Sequence, residues 1–388
     1  MAMTQETAPS FQHLAAELRL YCGEDSLAAL ARELKRNGCR RAVVVSGRSV
    51  ARSGAMDLLR NALGPVLVGE SQSVQPNSPV PAVEEVARVL EANEANAVIA
   101  VGGGSAAVTA RAAAILLAER KPAQELCTRR LPDGRFDSPR LDAPKLPQFV
   151  LPTTPSTAFV KAGSAVHDAA TGQRLALFDP KTRAKALFLH PAFLRTAPVA
   201  LVREATLNTL STAVEALESP QCDPVSEAML MHTLRLIARN LDRLEQDETA
   251  GREYLAIAAV LCGRGTEQAG GGLSSVLAHA IGHRAHVSNG VVNAIVLPYT
   301  MRFNALATQQ TTPRIADSLG HGQTGAAADV LESLLAKLPI AHRLRDIGIT
   351  EADLDVIAQA AMGDFFVSRS PRRVQGVADV RGILDAAW

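Results

Sequence analysis

The sequence has almost no net charge. Its 388 residues include 40 Lys and Arg against 39 Asp and Glu, which leaves a charge of +1 at pH 7. This balance argues against the broad electropositive face of a nucleic-acid binder and against a polybasic membrane anchor, because both depend on concentrated cationic charge. We therefore expect a small-molecule partner and no nucleic acid.

Long apolar runs and a leader segment are also missing. No apolar run reaches the roughly 18 residues that a membrane-spanning helix needs, and the opening MAMTQETAPSF lacks the basic start and apolar stretch of a signal peptide. The five cysteines are scattered and form no C-x-x-C pair, as is usual in a reducing cytoplasm. We expect a cytoplasmic protein with no membrane partner.

The first half of the chain alternates short β-branched runs with helical patterns, which is typical of a parallel α/β sheet. Strands are predicted at 41–45, 97–101, 149–151 and in two apolar runs within 176–189, and helices at 25–35, 81–90 and 105–119. The Pro- and Arg-rich stretch 121–147 has no hydrophobic period, and we predict a surface loop there.

From Pro198 onward long helical patterns replace the strands. Helices are predicted at 199–217, 224–244, 253–262, 272–283, 326–335 and 351–362. We place a domain boundary near Leu194, with an α/β nucleotide-binding domain over 1–194 and an all-helical domain over 195–388. The cleft between two such domains is a common ligand site.

Two loops that follow predicted strands have the composition of phosphate-binding segments. Gly102, Gly103, Gly104 and Ser105 open a helix, where glycines permit close backbone approach and the first amides supply donors. The other loop, PTTPSTAFVK, carries the hydroxyls of Thr153, Thr154, Ser156 and Thr157, followed by Lys161. A plain glycine turn and hydroxyls that bond their own backbone remain the alternatives.

Polar side chains recur at helical spacing in the second half. Asn208 and Thr212 lie four residues apart, as do Ser275 and His279, and Asn289 follows in the next loop. Residues four apart share a helix face, so these could line a polar or metal-holding pocket. Surface positions or packing hydroxyls are the alternative.

In this order the segments resemble the iron-containing alcohol dehydrogenase family, whose fold is related to that of dehydroquinate synthase. PNSPVPAVEEV, VGGGS, LPTTPSTA, DPKTRAKALFLHP, LNTLSTAVEA, NGVVNAIVLPYTMRFN, GITEADLDVIAQAAM and SPRRV carry the resemblance over nearly the whole chain. The segment LNTLSTAVEALESPQCDPVSEAM is similar to the maleylacetate reductase branch. The resemblance implies a dehydroquinate synthase-like α/β domain followed by an all-helical domain, and a homodimer.

The chain departs from the family where the family binds its metal. The resemblance implies an Asp and three His as ligands, but those positions hold Asn208, Thr212, Ser275 and Asn289. Four weak neutral groups are poor ligands for Fe²⁺ or Zn²⁺, so we expect no metal at the family site. The acidic residue that usually follows the Thr-rich motif is likewise replaced, by Val160.

An alternative is a relocated metal site on His279, His283 and His286, which are spaced for one helix face. A bend near Gly282, which the resemblance implies, would separate the three side chains. Solvated or core histidines are the commoner outcome for such a cluster.

The resemblance implies a nicotinamide cofactor, with its pyrophosphate on Gly102 to Ser105 and its nicotinamide beside Thr153, Thr154 and Thr157. The family often has an Asp after the first strand for the adenine ribose, but here the position is Gly47, followed by Arg48. Without that carboxylate, Arg48 or Ser46 could bind a 2′-phosphate, so NADP is favoured over NAD.

The leading hypothesis is an NAD(P)H-dependent oxidoreductase acting on a carbonyl or alcohol without a metal. Asn208, Asn289 and His279 are the candidates for stabilising the oxyanion, and His279 could also deliver the proton. Such a site favours an activated ketone such as an oxo acid, whose carboxylate Arg174 or Lys161 could meet. The alternative is that Lys161 and Arg174 bind the cofactor instead. The alternatives are a catalytically degenerate nucleotide-binding paralogue or regulatory subunit, a lyase on the same scaffold, and the relocated His site.

Overall fold

The computed structural model describes residues 10–131, 135–320 and 326–388, except for the side chains of Arg130 and His283. The strands are β1 (Arg19–Cys22), β2 (Ala42–Ser46), β3 (Leu67–Ser71), β4 (Ala97–Gly102), β5 (Arg129–Arg130), β6 (Phe136–Asp137), β7 (Gln148–Pro152), β8 (Gly163–Asp168), β9 (Gln173–Phe178) and β10 (Ala184–Leu189). The helices of the first half are α1 (Ser26–Arg36), α2 (Arg48–Ala51), α3 (Ala55–Leu63), α4 (Val80–Ala92), α5 (Gly104–Glu119), α6 (Ala123–Leu126) and α7 (Pro191–Leu194). The helices of the second half are α8 (Val199–Glu218), α9 (Pro224–Glu245), α10 (Thr249–Gly265), α11 (Leu273–Ala285), α12 (Asn289–Asn304), α13 (Thr312–Ser318), α14 (Ala327–Leu335), α15 (Glu351–Ala361) and α16 (Val377–Ala387).

The first half is built on a six-stranded parallel sheet with the order β1-β10-β7-β4-β2-β3. Every residue of β2, β4 and β7 is buried, because helices pack on both faces of the sheet. The strands predicted at 41–45, 97–101 and 149–151 and the α/β fold class are confirmed.

The strand order reverses at β2. From β2 the chain crosses to β3 at one edge, then returns to β4 on the other side of β2 and continues toward β7. The loops after β2 and β4 therefore leave the sheet in opposite directions. In parallel α/β sheets the crevice at such a point is where ligands bind.

Strands β8 and β9 form an antiparallel hairpin outside the main sheet, paired from Gly163↔Phe178 to Asp168↔Gln173. The apolar alternation within 176–189 predicted part of β9 and β10, but β1, β3 and β8 were missed. Edge strands β1 and β3 are only partly buried, so their sequences lack the continuous apolar run that marks the central strands.

The prediction of a surface loop over 121–147 is wrong for part of that stretch. It contains α6 and the short pair β5–β6, and Leu126, Cys127 and Leu141 are buried in the core of the sheet domain. The buried Lys145 Nζ lies 2.5 Å from Glu119 Oε1 and 3.1 Å from Asp179 Oδ2. Ion pairs between residues far apart in the chain hold this segment in place, and such pairs cannot be predicted from local periodicity.

The second half is helical, and the described residues after Leu189 form no strand. The six predicted helices of this half correspond to α8, α9, α10, α11, α14 and α15, while α12, α13 and α16 were not predicted. Bonds from Arg183 to Glu267, at 2.8 and 3.0 Å, join the sheet domain to the segment after α10. The domain boundary near Leu194 stays a prediction. No described helix is long and apolar enough to cross a membrane.

Candidate functional site

The glycine loop at the end of β4 packs against the Thr-rich loop at the end of β7. A Cβ atom on Gly103 would lie 3.0 Å from Thr154 Oγ1, and one on Gly104 would lie 2.7 Å from Ser156 Oγ. Gly102 has a φ of +148°, which L side chains rarely adopt. The glycines therefore serve the contact of two loops, and no side chain caps the first amides of α5, which remain available to an anion.

The Thr-rich loop is held from both sides. The amide of Thr153 donates to the carbonyl of Gly102 at 3.0 Å, and the fully buried Arg111 donates to the carbonyls of Ala158 (2.7 Å) and Gly163 (2.6 Å). Thr153 and Thr154 are buried, whereas Thr157 is partly exposed at the start of a 3₁₀ turn. The Ser156 hydroxyl accepts from the Ala158 amide. For this residue the structure therefore shows the alternative named above, a hydroxyl that bonds its own backbone.

The glycine loop is braced by Ser78, which sequence reasoning missed as a candidate. Asn77 and Ser78 have left-handed φ angles of 61° and 49°. The Ser78 hydroxyl donates to the Ser105 carbonyl at 3.2 Å and accepts from Thr109 Oγ1 at 3.0 Å. Backbone strain of this kind is concentrated at functional sites. The PNS segment, which is part of the family resemblance, could have pointed to these residues, but no role was predicted for it.

Gly47 and Arg48 lie at the carboxyl end of β2, on the other side of the crevice. Gly47 forms an isolated antiparallel bridge with Ser73, and Arg48 opens the short helix α2 with an exposed side chain. The loop after β2 and the loop after β4 therefore flank the point where the strand order reverses.

The two predicted cations differ in their surroundings. Lys161 Nζ lies 3.6 Å from Glu267 Oε1, and burial lowers its pKa although Glu267 opposes the shift. The structure thus gives Lys161 a partner from the segment after α10. Arg174 lies exposed on β9, opposite His167.

The predicted polar pairs lie on α8 and α11, two helices that pack against each other. Asn208, Thr212, Ser275 and His279 are all partly exposed, between buried neighbours on the same helices. Asn208 Oδ1 accepts from Asn293 Nδ2 at 3.0 Å, which leaves the Asn208 amide group to donate. The Thr212 hydroxyl donates to the Asn208 carbonyl at 2.8 Å.

Ser275 is bound to a carboxyl group that sequence reasoning missed. Glu215 Oε1 accepts from the Ser275 amide at 2.8 Å, and Glu215 Oε2 accepts from the Ser275 hydroxyl at 2.5 Å. Burial raises the pKa of Glu215 to about 7, although the bonds from Ser275 oppose the shift. A second buried carboxyl lies one turn further along α8, where burial raises the pKa of Glu218 to about 8.

His279 is held by an aspartate from the segment after α15. His279 Nδ1 lies 2.9 Å from Asp364 Oδ2, and Asp364 Oδ1 accepts from the Phe366 amide at 2.9 Å. The pKa of Asp364 is below its ordinary value. Burial alone would raise this pKa, but the hydrogen bond from His279 and the positive charges of His279 and Arg174 lower it by more. His279 is thus bound to a carboxylate whose charge the hairpin residue Arg174 also stabilises from a distance.

Asn289 and the remaining histidines lie at the end of α11. Asn289 is exposed at the first residue of α12, and a Cβ on Gly282 would lie 3.1 Å from its Oδ1. His286 follows the last residue of α11 with a left-handed φ of 52° and is exposed. Helix α11 continues through Gly282 and ends at Ala285. His286 therefore lies beyond the helix and does not share the helix face of His279. The His283 side chain lies outside the described residues, and the relocated site stays untested.

The four residues at the family's ligand positions do not fit a divalent metal. Neutral amide and hydroxyl oxygens are weak ligands for such a cation, and Asn208 Oδ1 and Ser275 Oγ are already hydrogen-bonded to Asn293 and Glu215. Neither Thr212 nor Asn289 is anionic. Elsewhere in the described part of the chain, no three His, Cys, Asp or Glu side chains come together as a metal site.

A parallel sheet with two apposed phosphate-type loops at its carboxyl edge has the arrangement of a nucleotide-binding domain. Two family models cover almost the whole chain: "Iron-containing alcohol dehydrogenase" matches residues 18–191, and "Fe-containing alcohol dehydrogenase family, C-terminal" matches residues 204–388. The chain belongs to the iron-containing alcohol dehydrogenase family, and the predictions of this family and of an enzyme are confirmed.

Named relatives have similar lengths. The chain is 27% identical over 378 residues to lactaldehyde reductase of Escherichia coli strain K12, covering 94% of this chain and 97% of that protein. It is 26% identical over 384 residues to maleylacetate reductase of Rhizobium sp., covering 97% of this chain and 97% of the relative. The fold matches the crystal structure of sulfoacetaldehyde reductase from Bifidobacterium kashiwanohense in complex with NAD⁺, with a TM-score of 0.87, 18% identity and coverage of 97% and 99%. The predicted likeness to maleylacetate reductases is supported.

Proposed function

We propose that this chain is a nicotinamide-dependent carbonyl reductase that works without a metal ion. The single observation that carries this proposal is the direction of the hydrogen bonds at the family's ligand positions. Asn208 Oδ1 accepts from Asn293 Nδ2, which leaves the Asn208 amide group to donate, and the neutral amide oxygen is at best a weak ligand for a cation. Such a site offers donors to an oxyanion and few ligands to a cation.

The cofactor would lie along the carboxyl edge of the sheet. The amides of Gly103 to Ser105 suit the pyrophosphate, because they begin a helix that no side chain caps. Thr153, Thr154 and Thr157 would line the nicotinamide side, on a loop that Arg111 holds in place. When bound, the reduced nicotinamide supplies a hydride to the substrate carbon.

We propose NADP as the preferred cofactor. Gly47 offers no carboxylate to repel a 2′-phosphate, and the neighbouring Arg48 is exposed at the same strand end. A guanidinium can meet a phosphate with two parallel hydrogen bonds. Lys161, already paired with Glu267, supports the loop more readily than it meets a phosphate.

The substrate we favour is an oxo acid. A carbonyl that is activated by a neighbouring carboxylate needs less electrophilic help than a simple aldehyde, which suits a site without a metal. Arg174 is exposed on the hairpin and acts on Asp364, the partner of His279. It could therefore meet the substrate carboxylate beside the group that undergoes reduction.

Three groups of the helical domain would surround the substrate oxygen. Asn208 donates through its amide, Asn289 lies exposed at the start of α12, and His279 is oriented by Asp364. The homodimer, the cytoplasmic location and the division into domains at Leu194 stay predictions.

Purified protein titrated with NADPH and NADH, then assayed with a panel of aldehydes and oxo acids beside elemental analysis, tests the proposal. We expect binding of both nucleotides, tighter for NADPH, and turnover of an oxo acid by protein that contains no stoichiometric metal. Stoichiometric metal that a chelator removes together with activity would overturn the metal-free mechanism. Tight nucleotide binding without turnover of any carbonyl would favour a binding subunit.

A further inference from the structure

A buried carboxyl group lies directly behind one serine of the cleft. Glu215 is 5% exposed on α8, while Ser275 is partly exposed on α11, one turn before His279. Glu215 holds Ser275 by two bonds, to the amide at 2.8 Å and to the hydroxyl at 2.5 Å. Ser275 therefore links the buried Glu215 carboxyl to the surface where we expect the substrate oxygen.

The bond between the two oxygens can run in either direction. When Glu215 is ionised, it can only accept, so the Ser275 hydroxyl hydrogen points away from the cleft. When Glu215 is protonated on Oε2, the carboxyl donates to Ser275 Oγ, and the serine hydrogen is free to turn toward the cleft. The protonation state of a buried group thus decides whether the cleft presents a hydroxyl donor.

The surroundings of Glu215 favour its neutral form. Among the described residues no Lys, Arg or His forms an ion pair with Glu215, and the neighbouring acid on α8 is Glu218. The amides of Gly272, Ser274 and Ser275 and the Ser275 hydroxyl, at the start of α11, donate to the carboxyl. A carboxyl group in such a place can hold a proton near neutral pH and release it to one partner.

The neutral ring of His279 has no hydrogen to donate through Nε2. The Asp364 carboxylate accepts at 2.9 Å from His279 Nδ1, so this nitrogen carries the hydrogen and Nε2 of the neutral ring has none. The neutral imidazole can then only accept at Nε2. A donor to the substrate oxygen must come from the doubly protonated ring or from another group.

We propose that Glu215 supplies the proton of the reduction through the hydroxyl of Ser275. This inference rests on the proposed function, since it names the proton donor of that same site. Hydride addition forms a C–H bond and opens the carbonyl π bond, and the oxygen then takes the hydrogen of Ser275 Oγ. Ser275 Oγ takes the proton of the Glu215 carboxyl in the same movement, so the serine is unchanged. The nicotinamide is oxidised, the carbonyl carbon is reduced, and water later returns a proton to Glu215 by the reverse route, through Ser275 Oγ.

Glu215 also has a structural role that an experiment must separate. Gly272 gives α11 no side-chain cap, and Glu215 Oε1 satisfies the amide of Ser275 in its first turn. Glu215→Gln preserves that acceptor oxygen and removes only the titratable proton. Glu218→Gln is the matched control, because it makes the same change one turn further along α8, on a carboxyl that accepts from Asn304 Nδ2 at 2.7 Å.

The pH profile of oxo-acid reduction at saturating NADPH tests the relay. The wild-type turnover number should fall as pH rises through about 7, the pKa to which burial raises Glu215, because only the protonated carboxyl supplies the relay. In E215Q the falling limb should be absent and the rate at low pH should drop about 100-fold, as expected for a lost general acid. E218Q should keep the wild-type profile.

Serine variants provide the second arm. Ser275→Ala should match the loss in E215Q, with the Kd for NADPH unchanged, and Ser275→Thr should restore most of the rate because it keeps the hydroxyl. A limb that persists in E215Q but disappears in His279→Gln would overturn the relay and assign the proton to His279. If the wild-type protein binds NADPH but reduces no carbonyl, the proposed function fails and the relay with it.

Discussion

His279 Nδ1 and Asp364 Oδ2 lie 2.9 Å apart, and this contact decides which ring nitrogen carries the hydrogen. Asp364 is itself fixed, because its other oxygen accepts from the amide of Phe366. A carboxylate can only accept, so Nδ1 donates and Nε2 of the neutral ring presents a lone pair to the cleft. The two residues are 85 positions apart, and only the packing of α11 against the segment after α15 brings them together.

Asp364→Asn should invert the tautomer of His279. The asparagine Oδ1 can keep the bond to the Phe366 amide, and its Nδ2 would then donate to Nδ1 of the ring and leave the hydrogen on Nε2. Ring ¹⁵N shifts in the neutral histidine should show this exchange directly. We also expect turnover to fall by about 10- to 100-fold, since proton transfer at the site depends on correct protonation.

The cofactor titration is the control for this variant. Asp364 makes no described contact with the glycine or Thr-rich loops, so the Kd for NADPH should match that of the wild-type protein. Unchanged ring shifts in D364N would show that Asp364 does not set the tautomer.

Gly103→Val should abolish nucleotide binding while the protein stays folded. The backbone of Gly103 is extended, with φ −80° and ψ −167°, so valine meets no backbone strain. Its Cβ, however, would lie 3.0 Å from Thr154 Oγ1, and the branched side chain would occupy the space between the two loops. Fluorescence titration with NADPH and thermal unfolding measure the two effects separately.

Gly382→Val is the matched control, because a Cβ at this exposed position in α16 has no atom within 4 Å. It should bind NADPH like the wild-type protein. If G103V binds the nucleotide normally, the glycine loop is only a structural turn.

The sequence predicted the parts of this site that depend on local pattern. The buried runs of β2, β4 and β7 and the loops after β4 and β7 follow from period, length and composition alone. Glu215 and Asp364 could not be found in that way. Each acts on a residue 60 or 85 positions away, and their side chains become informative only through burial and partners.

Arg48→Ala should weaken the binding of NADPH and leave the binding of NADH unchanged. The exposed guanidinium at the end of β2 is proposed to meet a 2′-phosphate, and charge-assisted hydrogen bonds of this kind contribute about 1.5 to 3 kcal/mol. We therefore expect the Kd for NADPH to rise by about 10- to 100-fold in calorimetric titrations.

Arg52→Ala is the control for Arg48, because it removes an exposed arginine at the other end of the same short helix. Its Kd values for both nucleotides should equal those of the wild-type protein. Equal weakening of NADPH and NADH in R48A would remove the arginine from 2′-phosphate recognition.

Glu218→Gln should make the stability of the protein less dependent on pH. Burial raises the pKa of Glu218 to about 8 from its ordinary value of 4.5, so between these values the folded chain holds a proton that the unfolded chain releases. The free energy of unfolding of the wild-type protein should therefore fall as pH rises across this window, with a slope of at most about 1.4 kcal/mol per pH unit from this one group. The glutamine variant keeps the acceptor for Asn304 and removes this contribution, so chemical unfolding at pH 5 and pH 8 should show a smaller difference than in the wild-type protein. An equal loss of stability in both proteins would mean that Glu218 is ionised in the folded state.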